Sequence, residues 1–285
     1  MEFIKTLSRI RTTLRKVGDI YKTGGVSYAT ITTPFYGEIL KDKCILITGG
    51  SSGIGLAIAK KCIKCGASVI ITGRNEAKLK IAQQDLNNEK CKYIIWDISN
   101  IAIINEKLEE CAQLFKKDID ILVNNAGVAP TKFFGEVDSE EWEKIYNINL
   151  KGNYFLTQEL VCNWKTKSSF EGYKRIINIS SQGGFVGATY PYRMTKWDIR
   201  GLTEGLGKLL IKDRIIVNGI APGVVKTSMQ MFSLKQGDNL YTNQNLIKRV
   251  ILPEEIAEVA LFLMGGAGNA IVGQTIVCDG GYSLK

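Results

Sequence analysis

The chain has 285 residues, of which 45% are hydrophobic and 23% are charged, a composition typical of a globular protein with a buried core. It contains no histidine, which excludes Ser-His-Asp and Cys-His nucleophilic systems and histidine-ligated metal sites, and we expect no metal. The net charge of +9 favours an anionic ligand, and no recognised nucleic-acid module accompanies it. Seven scattered cysteines indicate a reducing, cytoplasmic environment, and no apolar run is long enough for a transmembrane span.

Residues 1–41 differ from the rest and are predicted to form a helical extension with a linker. Apolar residues recur at alternating steps of four and three, the period of an amphipathic helix: Phe3, Leu7, Ile10, Leu14, Val17 and Tyr21. Basic residues share this segment, Gly24-Gly25 ends it, and Pro34 interrupts the linker. Three interpretations remain open: an arm packed on its own domain or on a sister subunit, a surface anchor or partner-docking helix, and a mitochondrial presequence.

From Lys43 onward, short apolar segments alternate with helical patterns. The predicted strands are Cys44–Thr48, Ser68–Thr72, Lys92–Trp96, Ile119–Asn124, Arg175–Ser180, Arg214–Ile220 and Thr275–Cys278. The predicted helices are Ile54–Cys65, Asn75–Asn87, Ile104–Phe115, Ser139–Lys165, Tyr192–Ile211 and Pro253–Leu263. This alternation predicts a single α/β domain over residues 42–285, a Rossmann-type doubly wound parallel sheet with helices on both faces. In such a sheet, ligands bind at the carboxyl ends of the strands.

A glycine-rich turn joins the first predicted strand to the first helix of this domain. It consists of Thr48, Gly49, Gly50, Ser51, Ser52, Gly53, Ile54 and Gly55. Glycines let the backbone approach a pyrophosphate closely, and the following helix N-terminus offers free N–H groups and a partial positive charge. The strand–turn–helix context therefore predicts a dinucleotide site.

The end of the second predicted strand bears on the choice of cofactor. Sites selective for NAD usually place an acidic residue here, where it holds the ribose 2′-hydroxyl. This sequence has Gly73-Arg74 instead, and the planar cation of Arg74 suits a 2′-phosphate. We therefore expect NADP(H), with NAD(H) as the less favoured cofactor.

Four motifs follow one another in the order found in the short-chain dehydrogenases/reductases. They are Thr48–Gly55, Asn124-Asn125-Ala126-Gly127, Tyr192-x-x-x-Lys196 and the segment Pro222-Gly223-Val224-Val225-Lys226-Thr227. Over about residues 42–285, including the closing Asp279-Gly280-Gly281, the chain resembles this family, and within it the 3-oxoacyl-[acyl-carrier-protein] reductase branch. The resemblance implies a homodimer or homotetramer that acts on a small carbonyl or alcohol substrate, with an acyl-carrier-linked substrate as one candidate.

The resemblance also implies which residues bind the cofactor. Ser51, Ser52 and Ile54 are expected along the phosphates, Arg74 at the 2′-phosphate, and Asp97 at the adenine edge. Asn124 and Ala126 are expected near the adenosine ribose, and Val225 and Thr227 at the nicotinamide end. The full expected set is Thr48, Gly49, Ser51, Ser52, Gly53, Ile54, Gly55, Arg74, Asp97, Ile98, Asn124, Ala126, Gly127, Tyr192, Lys196, Pro222, Gly223, Val225 and Thr227.

The predicted catalytic group consists of Tyr192, Lys196, Ser181 and Asn149. Tyr192 and Lys196 are four residues apart on one predicted helix and so share a face. We expect the ammonium of Lys196 to lower the pKa of Tyr192, so that Tyr192 exchanges a proton with the carbonyl oxygen. Ser181 would polarise that oxygen, and the resemblance assigns Asn149 to a proton-relay water.

Two features of the substrate side are less defined. The family usually places its serine about a dozen or so residues before the tyrosine, whereas here Ser181 is 11 and Ser180 is 12 residues before Tyr192, so the loop Gln182–Pro191 is shorter than usual by a residue or two. We favour Ser181 as the catalytic serine. The short loop also changes the wall of the substrate pocket, where we expect Phe185, Tyr190 and Pro191. Residues 229–249 should form a substrate lid, with an apolar lining from Met229, Met231, Phe232 and Leu234. The same residues would also fit a packed surface loop.

The sequence thus predicts an NADPH-dependent oxidoreductase that interconverts a ketone and a secondary alcohol. One alternative is a catalytically silent NADP-binding regulatory or scaffold protein of the same fold. The other is an assembly or membrane-docked subunit in which the basic N-terminal helix carries the main function.

Overall fold

The structure is a computed structural model that describes residues 2–29, 36–86, 89–166, 172–227 and 239–284. The strands are β1 (Cys44–Thr48), β2 (Ser68–Gly73), β3 (Cys91–Ile95), β4 (Ile121–Asn124), β5 (Lys174–Ile179), β6 (Ile215–Pro222) and β7 (Thr275–Cys278). The α-helices are α1 (Glu2–Thr23), α2 (Gly53–Lys64), α3 (Glu76–Leu86), α4 (Ile104–Phe115), α5 (Ser139–Tyr146), α6 (Gly152–Thr166), α7 (Pro191–Leu210) and α8 (Pro253–Met264).

The seven strands form one parallel sheet in the order β3-β2-β1-β4-β5-β6-β7. The chain first winds outward from β1 to β3 and then returns to continue on the other side of β1 with β4. This reversal creates a crevice at the carboxyl ends of β1 and β4, where open α/β sheets bind ligands. The predicted doubly wound fold is therefore confirmed.

Alternate residues of the buried strands supply two hydrophobic cores, one on each face of the sheet. In β1, Ile45 and Ile47 pack against α2 and α8 on one face, whereas Leu46 packs towards α4 and α6 on the other. Each fully buried isoleucine or leucine contributes about 1.5–3 kcal/mol through removal of apolar surface from water. Both faces are covered, which explains why the strands are nearly continuous apolar runs.

The predicted single helix Ser139–Lys165 is wrong in one respect, because a π-helical turn at Asn147–Lys151 separates α5 from α6. A π turn contains an extra residue and rotates the side chains that follow it out of the ordinary helical period. The backbone of Gly152 lies against Ile98, so close that a β-carbon on Gly152 would be 2.3 Å from the Ile98 carbonyl oxygen. The turn therefore brings this helix onto the loop after β3.

The N-terminal extension contacts the domain just after α1. The amide of Asn239 donates to the carbonyl of Gly25 and its oxygen accepts from the N–H of Ser27, and the N–H of Leu240 donates to the Ser27 carbonyl. In α1 itself, the side chains of Leu14 and Tyr21 are exposed. Within the described residues, no helix has both the length and the apolar character needed to cross a membrane.

Candidate active site

The glycine-rich turn lies at the carboxyl end of β1 and leads into α2. Gly49 and Gly53 have φ angles of 66° and 56°, a region that side-chain-bearing residues rarely adopt. A β-carbon on Gly49 would also lie 2.9 Å from the Cα of Ala126. Both the turn and its contact with the loop after β4 thus depend on glycine.

The loop after β4 holds this turn in place through a set of hydrogen bonds. The hydroxyl of Thr48 accepts from the backbone N–H groups of Asn125 and Ala126, each at 3.0 Å. The side-chain amide of Asn125 donates to the carbonyls of Thr48 and Gly49. Asn125, which we did not predict as a site residue, therefore fixes the position of the turn.

The turn borders a cavity of about 570 Å³ that we call the loop cavity. Many of the predicted cofactor residues line it: Gly49, Ser51, Ser52, Gly53, Ile54, Arg74, Asp97, Ile98, Ala126, Gly127 and Thr227. Three others, Thr48, Gly55 and Asn124, lie behind this wall and support it instead. For example, the amide of Asn124 donates to Thr157 and Asn178 in the protein interior.

The chemistry of the loop cavity fits a dinucleotide. The hydroxyl of Ser52 makes no capping hydrogen bond to α2, and the first turn of α2 contains no acidic residue, so its N–H groups and positive end remain available to phosphate. Trp96 also lines the cavity, and its buried Nε1 has no acceptor among the described residues. A bound ligand can supply that acceptor.

Two cationic side chains, Arg74 after β2 and Lys78 in α3, line the loop cavity. Arg74 lies there as predicted, with Nη1 4.0 Å from a carboxylate oxygen of Asp97 and with both side chains substantially exposed. Such an exposed pair contributes little energy, so the guanidinium can readily turn to another anion. Lys78 in the first turn of α3 lines the same cavity. Lys78, four residues after Arg74, was not predicted as a site residue.

A second cavity, of about 430 Å³, adjoins the first, and we call it the tyrosine cavity. The two cavities share Ile54, Asn125, Gly127, Ala129 and Thr227 and so form one continuous cleft. Apart from Asn149, the remaining predicted residues line the second cavity: Ser181, Tyr192, Lys196, Pro222, Gly223 and Val225.

Ser181 and Tyr192 are hydrogen-bonding partners in the tyrosine cavity. Burial raises the pKa of Tyr192 above its ordinary value, and the Ser181 hydrogen bond opposes that rise. We expected Lys196 to lower this pKa, but burial is the dominant influence in the structure. Tyr192 is therefore held as a neutral phenol at neutral pH, the form that can donate a proton.

Both neighbouring serines line the tyrosine cavity, but their hydroxyls have different hydrogen-bonding partners. The Ser180 hydroxyl donates to the backbone carbonyl of Lys196 at 2.8 Å and fastens β5 to α7. The Ser181 oxygen accepts from the N–H of Gly183 at 3.1 Å, which caps the short 3₁₀ turn Gln182–Gly184, and it also reaches Tyr192. Ser181 thus has the better geometry for contact with a substrate oxygen.

Lys196 lies beneath Tyr192 on α7, with its Nζ 5.6 Å from the centre of the tyrosine ring. The ammonium donates to the carbonyl of Ile179 at 3.0 Å. Burial lowers the pKa of Lys196 to about 8 because the charged form loses hydration. Its protonation state therefore changes just above neutral pH.

Asn149 lies in the π turn, fully buried beside the loop that contains Gly127. Its oxygen accepts from the N–H of Val128 at 2.8 Å and its amide donates to the carbonyl of the same residue. A β-carbon on Gly127 would lie 3.3 Å from the Asn149 oxygen. Asn149 is thus one residue behind the cleft wall, where it orients the backbone rather than lining either cavity.

Tyr190, which we expected in the wall of the substrate pocket, lines the mouth of the tyrosine cavity, whereas Phe185 and Pro191 do not line it. The other residues at this mouth were not predicted as site residues. Phe133 and Tyr190 form an edge-to-face pair with ring centres 5.1 Å apart. Arg193, Gln244 and Tyr282 also line this cavity. The predicted lid residues Met229, Met231, Phe232 and Leu234 lie outside the described residues.

Comparisons with known proteins agree with this geometry. The profile of the family described as short chain dehydrogenase matches residues 43–237. A 3-oxoacyl-[acyl-carrier-protein] reductase FabG from Aquifex aeolicus is 35% identical over 247 residues, covering 85% of this chain and 98% of that protein. The protein of the same name from Rickettsia typhi is 36% identical over 253 residues, covering 85% and 97%.

Solved structures give the same result. The RhlG/NADP active-site complex of Pseudomonas aeruginosa is 30% identical with a TM-score of 0.78, covering 88% of this chain and 100% of that one. A 3-ketoacyl-(acyl-carrier-protein) reductase of Brucella melitensis, complexed with NADH, is 29% identical with a TM-score of 0.78, covering 86% and 99%. Together with the profile match, these similarities show that the chain belongs to the short-chain dehydrogenase/reductase family of nicotinamide-dependent oxidoreductases.

Proposed function

We propose that the protein is an NADPH-dependent reductase that converts a ketone, of the 3-oxoacyl or a similar class, to a secondary alcohol. The observation that carries this proposal is the arrangement of Tyr192, Ser181 and Lys196 in the tyrosine cavity, next to a cavity suited to a dinucleotide. The relatives named as 3-oxoacyl-[acyl-carrier-protein] reductases support the substrate class, and an acyl carrier is a candidate partner.

Tyr192 acts as the general acid in this proposal. When bound, NADPH supplies the hydride that adds to the carbonyl carbon. The phenol of Tyr192 gives its proton to the carbonyl oxygen, and the raised pKa keeps that proton in place until the oxygen gains negative charge. In the oxidative direction, the same oxygen of Tyr192 accepts the proton from the alcohol.

Three residues support this transfer. Ser181 donates a hydrogen bond to the carbonyl oxygen and stabilises the charge that develops there. Lys196, as an ammonium, favours the phenolate that Tyr192 becomes after it has given up its proton. Asn149 acts as a positioning residue, since its amide fixes the Val128 backbone beside the cleft, and the proton-relay role expected from the family remains part of the proposal.

The preference for NADPH rests on Arg74 and Lys78. Both line the loop cavity at the end of β2, and no acidic residue stands at the position of Gly73. A dianionic 2′-phosphate gains charge-assisted hydrogen bonds from this pair, which a ribose hydroxyl cannot match. Asp97, which lies near Arg74, is the residue that would work against the phosphate.

A homodimer or homotetramer is also part of the proposal. Aromatic and apolar side chains of α5, α6, α7 and the π turn form a shallow exposed depression: Tyr146, Leu150, Tyr154, Phe155, Trp197 and Leu202. An exposed apolar patch of this kind is typical of a subunit interface. Light scattering of the purified protein tests this point, and a monomer mass would contradict it.

The decisive test is NADPH oxidation measured against a panel of ketones, 3-oxoacyl thioesters and keto-sugars. Tyr192→Phe should reduce kcat on every productive substrate by about 10²–10⁴-fold because the general acid is lost. Tyr173→Phe, which removes a hydroxyl outside the cleft, serves as the control. Equal turnover by the wild type and Tyr192→Phe would overturn the mechanism, and binding of NADPH without turnover of any substrate would favour the catalytically silent alternative.

A further inference from the structure

Arg193 is the residue directly after the catalytic tyrosine, and its side chain lines the tyrosine cavity. Three contacts fix it there. A β-carbon on Gly183 would lie 3.2 Å from Arg193 Cγ, so the aliphatic stem rests on the 3₁₀ turn after Ser181. The guanidinium carbon lies 5.3 Å from the centre of the Tyr190 ring, and Nη1 donates to the carbonyl of Gly187 at 3.1 Å. These contacts place the cation at the tyrosine cavity in the absence of a ligand.

The charge of this side chain is not compensated locally. Among the described residues that line the tyrosine cavity, the charged ones are Arg193 and Lys196, and none is a carboxylate. Lys196 is buried beneath the tyrosine and donates to a backbone carbonyl, whereas Arg193 forms no ion pair within the described part of the chain. A guanidinium has five N–H donors, of which the contact with Gly187 uses one.

The helix that carries Arg193 adds to the positive potential. α7 has 20 residues and begins at Pro191, so Arg193 lies in its first turn. The side chain of Tyr190 makes no capping hydrogen bond, and that first turn contains no acidic residue. The positive end of the helix dipole is thus directed at the mouth of the cavity without local neutralisation.

We propose that Arg193 forms an anion subsite at the mouth of the tyrosine cavity, and that the ketone substrate carries a carboxylate or a phosphate which this subsite binds. The inference rests on the proposed reductase function and names the chemical class of its substrate. Arginine suits this role because its planar fork donates two parallel hydrogen bonds to either oxyanion. The aromatic pair of Phe133 and Tyr190 covers the apolar part of the substrate between the anion and the reacting carbonyl.

Two matched pairs of substrates test the subsite. One pair is 5-oxohexanoate and its methyl ester, which differ by a carboxylate. The other is 3-oxobutanoyl-coenzyme A and the neutral N-acetylcysteamine thioester of the same acyl group, which differ by the phosphates of the coenzyme. If the anionic member is preferred only in the first pair, the subsite binds a substrate carboxylate; if it is preferred only in the second pair, the subsite binds a phosphate of the carrier. The wild type should favour the anionic member by about 10- to 100-fold in kcat/KM, the effect of one or two charged hydrogen bonds.

Arg193→Met keeps the length of the stem and removes the charge, so it should abolish this preference, mainly through a higher KM for the anionic member. Arg193→Lys should retain part of it, since an ammonium keeps the charge but lacks the fork. Arg200→Met is the matched control, because Arg200 lies on the same helix, stacks on Phe185 and does not line the cavity. It should leave the preference close to that of the wild type.

The outcomes separate this inference from the proposed function. Turnover of both members without a preference, or an equal loss of preference in Arg193→Met and Arg200→Met, would overturn the subsite and leave the reductase function intact. If neither pair is turned over, the proposed function fails for these ketones, and thermal unfolding with NADP⁺ and 5-oxohexanoate or coenzyme A decides about the subsite. A rise in Tm for the wild type but not for Arg193→Met would support it, and equal behaviour of the two would refute it.

Discussion

The two cavities of the cleft differ in how much of their lining is backbone and how much is side chain. Much of the loop cavity is lined by backbone, including that of Gly49 and Gly53, which have positive φ angles. A β-carbon on Gly49 would lie too close to the Cα of Ala126. The tyrosine cavity is lined by side chains from distant parts of the chain, among them Phe133, Arg193 and Gln244. A glycine that has a positive φ and lies against neighbouring backbone tolerates almost no substitution, whereas a side chain that lines a cavity can be replaced and can thereby change the ligand that is bound.

Ser181→Ala should have the largest effect among the tests of this comparison. Loss of a donor to the carbonyl oxygen lowers kcat by about 10²–10³-fold while NADPH binding is retained. Ser180→Ala is the paired variant at the same cavity, because the Ser180 hydroxyl is engaged by the Lys196 carbonyl, and loss of this buried hydrogen bond costs about 1 kcal/mol of the free energy of unfolding. Steady-state kinetics and urea unfolding measure the two effects, and the reverse pattern would assign catalysis to Ser180.

Gly49→Ala tests the backbone wall of the loop cavity. A left-handed conformation costs an alanine about 1–2 kcal/mol, and the contact with Ala126 must open in addition. We therefore expect a large loss of NADPH affinity, measured by nucleotide fluorescence, together with a lower Tm. Gly187→Ala is the control outside both cavities, because the φ angle of Gly187 is not positive and a β-carbon there would meet no atom within 4 Å. Equal effects of the two substitutions would show that the positive φ of Gly49 and its contact with Ala126 are not what the cofactor site depends on.

Arg74→Asp should alter cofactor preference without altering the chemistry at Tyr192. The exchange removes a cation from the 2′-phosphate position and adds an acceptor suited to the ribose hydroxyls, so the ratio of NADPH to NADH affinity should fall about 10- to 100-fold. Lys78→Gln should lower the same ratio by a smaller factor. Lys92→Gln, in a lysine of β3 that does not line the cavity, is the control. An unchanged ratio in Arg74→Asp would refute the phosphate role.

The pH dependence of NADPH affinity should show the smallest effect. Lys196 has a pKa of about 8 in the folded free enzyme, below its ordinary value of 10.5, so it loses its proton as the pH rises through about 8. Affinity for the anionic cofactor should decline above that pH, and Lys196→Met should remove the decline. The same titration changes the free energy of unfolding in the opposite direction from the cofactor affinity. Between about pH 8 and 10.5 the unfolded chain binds the proton that the folded chain has released, so this group makes the folded state more stable as pH rises.

Features formed by residues that are continuous in sequence could be predicted, whereas features formed by residues from distant parts of the chain could not. The parallel sheet, the turn at β1 and the placement of Arg74 depend on segments that are continuous in sequence, and each followed from local pattern. The π turn at Asn147–Lys151 could not be predicted, because one inserted residue leaves the apolar spacing of a helix nearly unchanged. Gln244 and Tyr282 join the tyrosine cavity only through tertiary packing, and no local signal marks them.

The expected effect of Lys196 on Tyr192 shows a further limit. Helical spacing correctly predicted that the two side chains are neighbours on α7, but it carries no information about solvation. Burial raises the pKa of Tyr192 and lowers that of Lys196, since both charged forms lose contact with water. The direction of a pKa shift therefore required the structure even where the contact itself did not.

The hydrogen bonds between the Gly25–Ser27 segment and Asn239–Leu240 join the N-terminal extension to the chain segment that leads to Gln244 at the tyrosine cavity. Asn239 also accepts from the N–H of Tyr241, three residues before Gln244 at the cavity. A recombinant protein that begins just before β1 would include all seven described strands but would lack this connection. Substrate selectivity should then depend on the chosen start residue and on any purification tag attached there, so kinetic comparisons require an unaltered N-terminus.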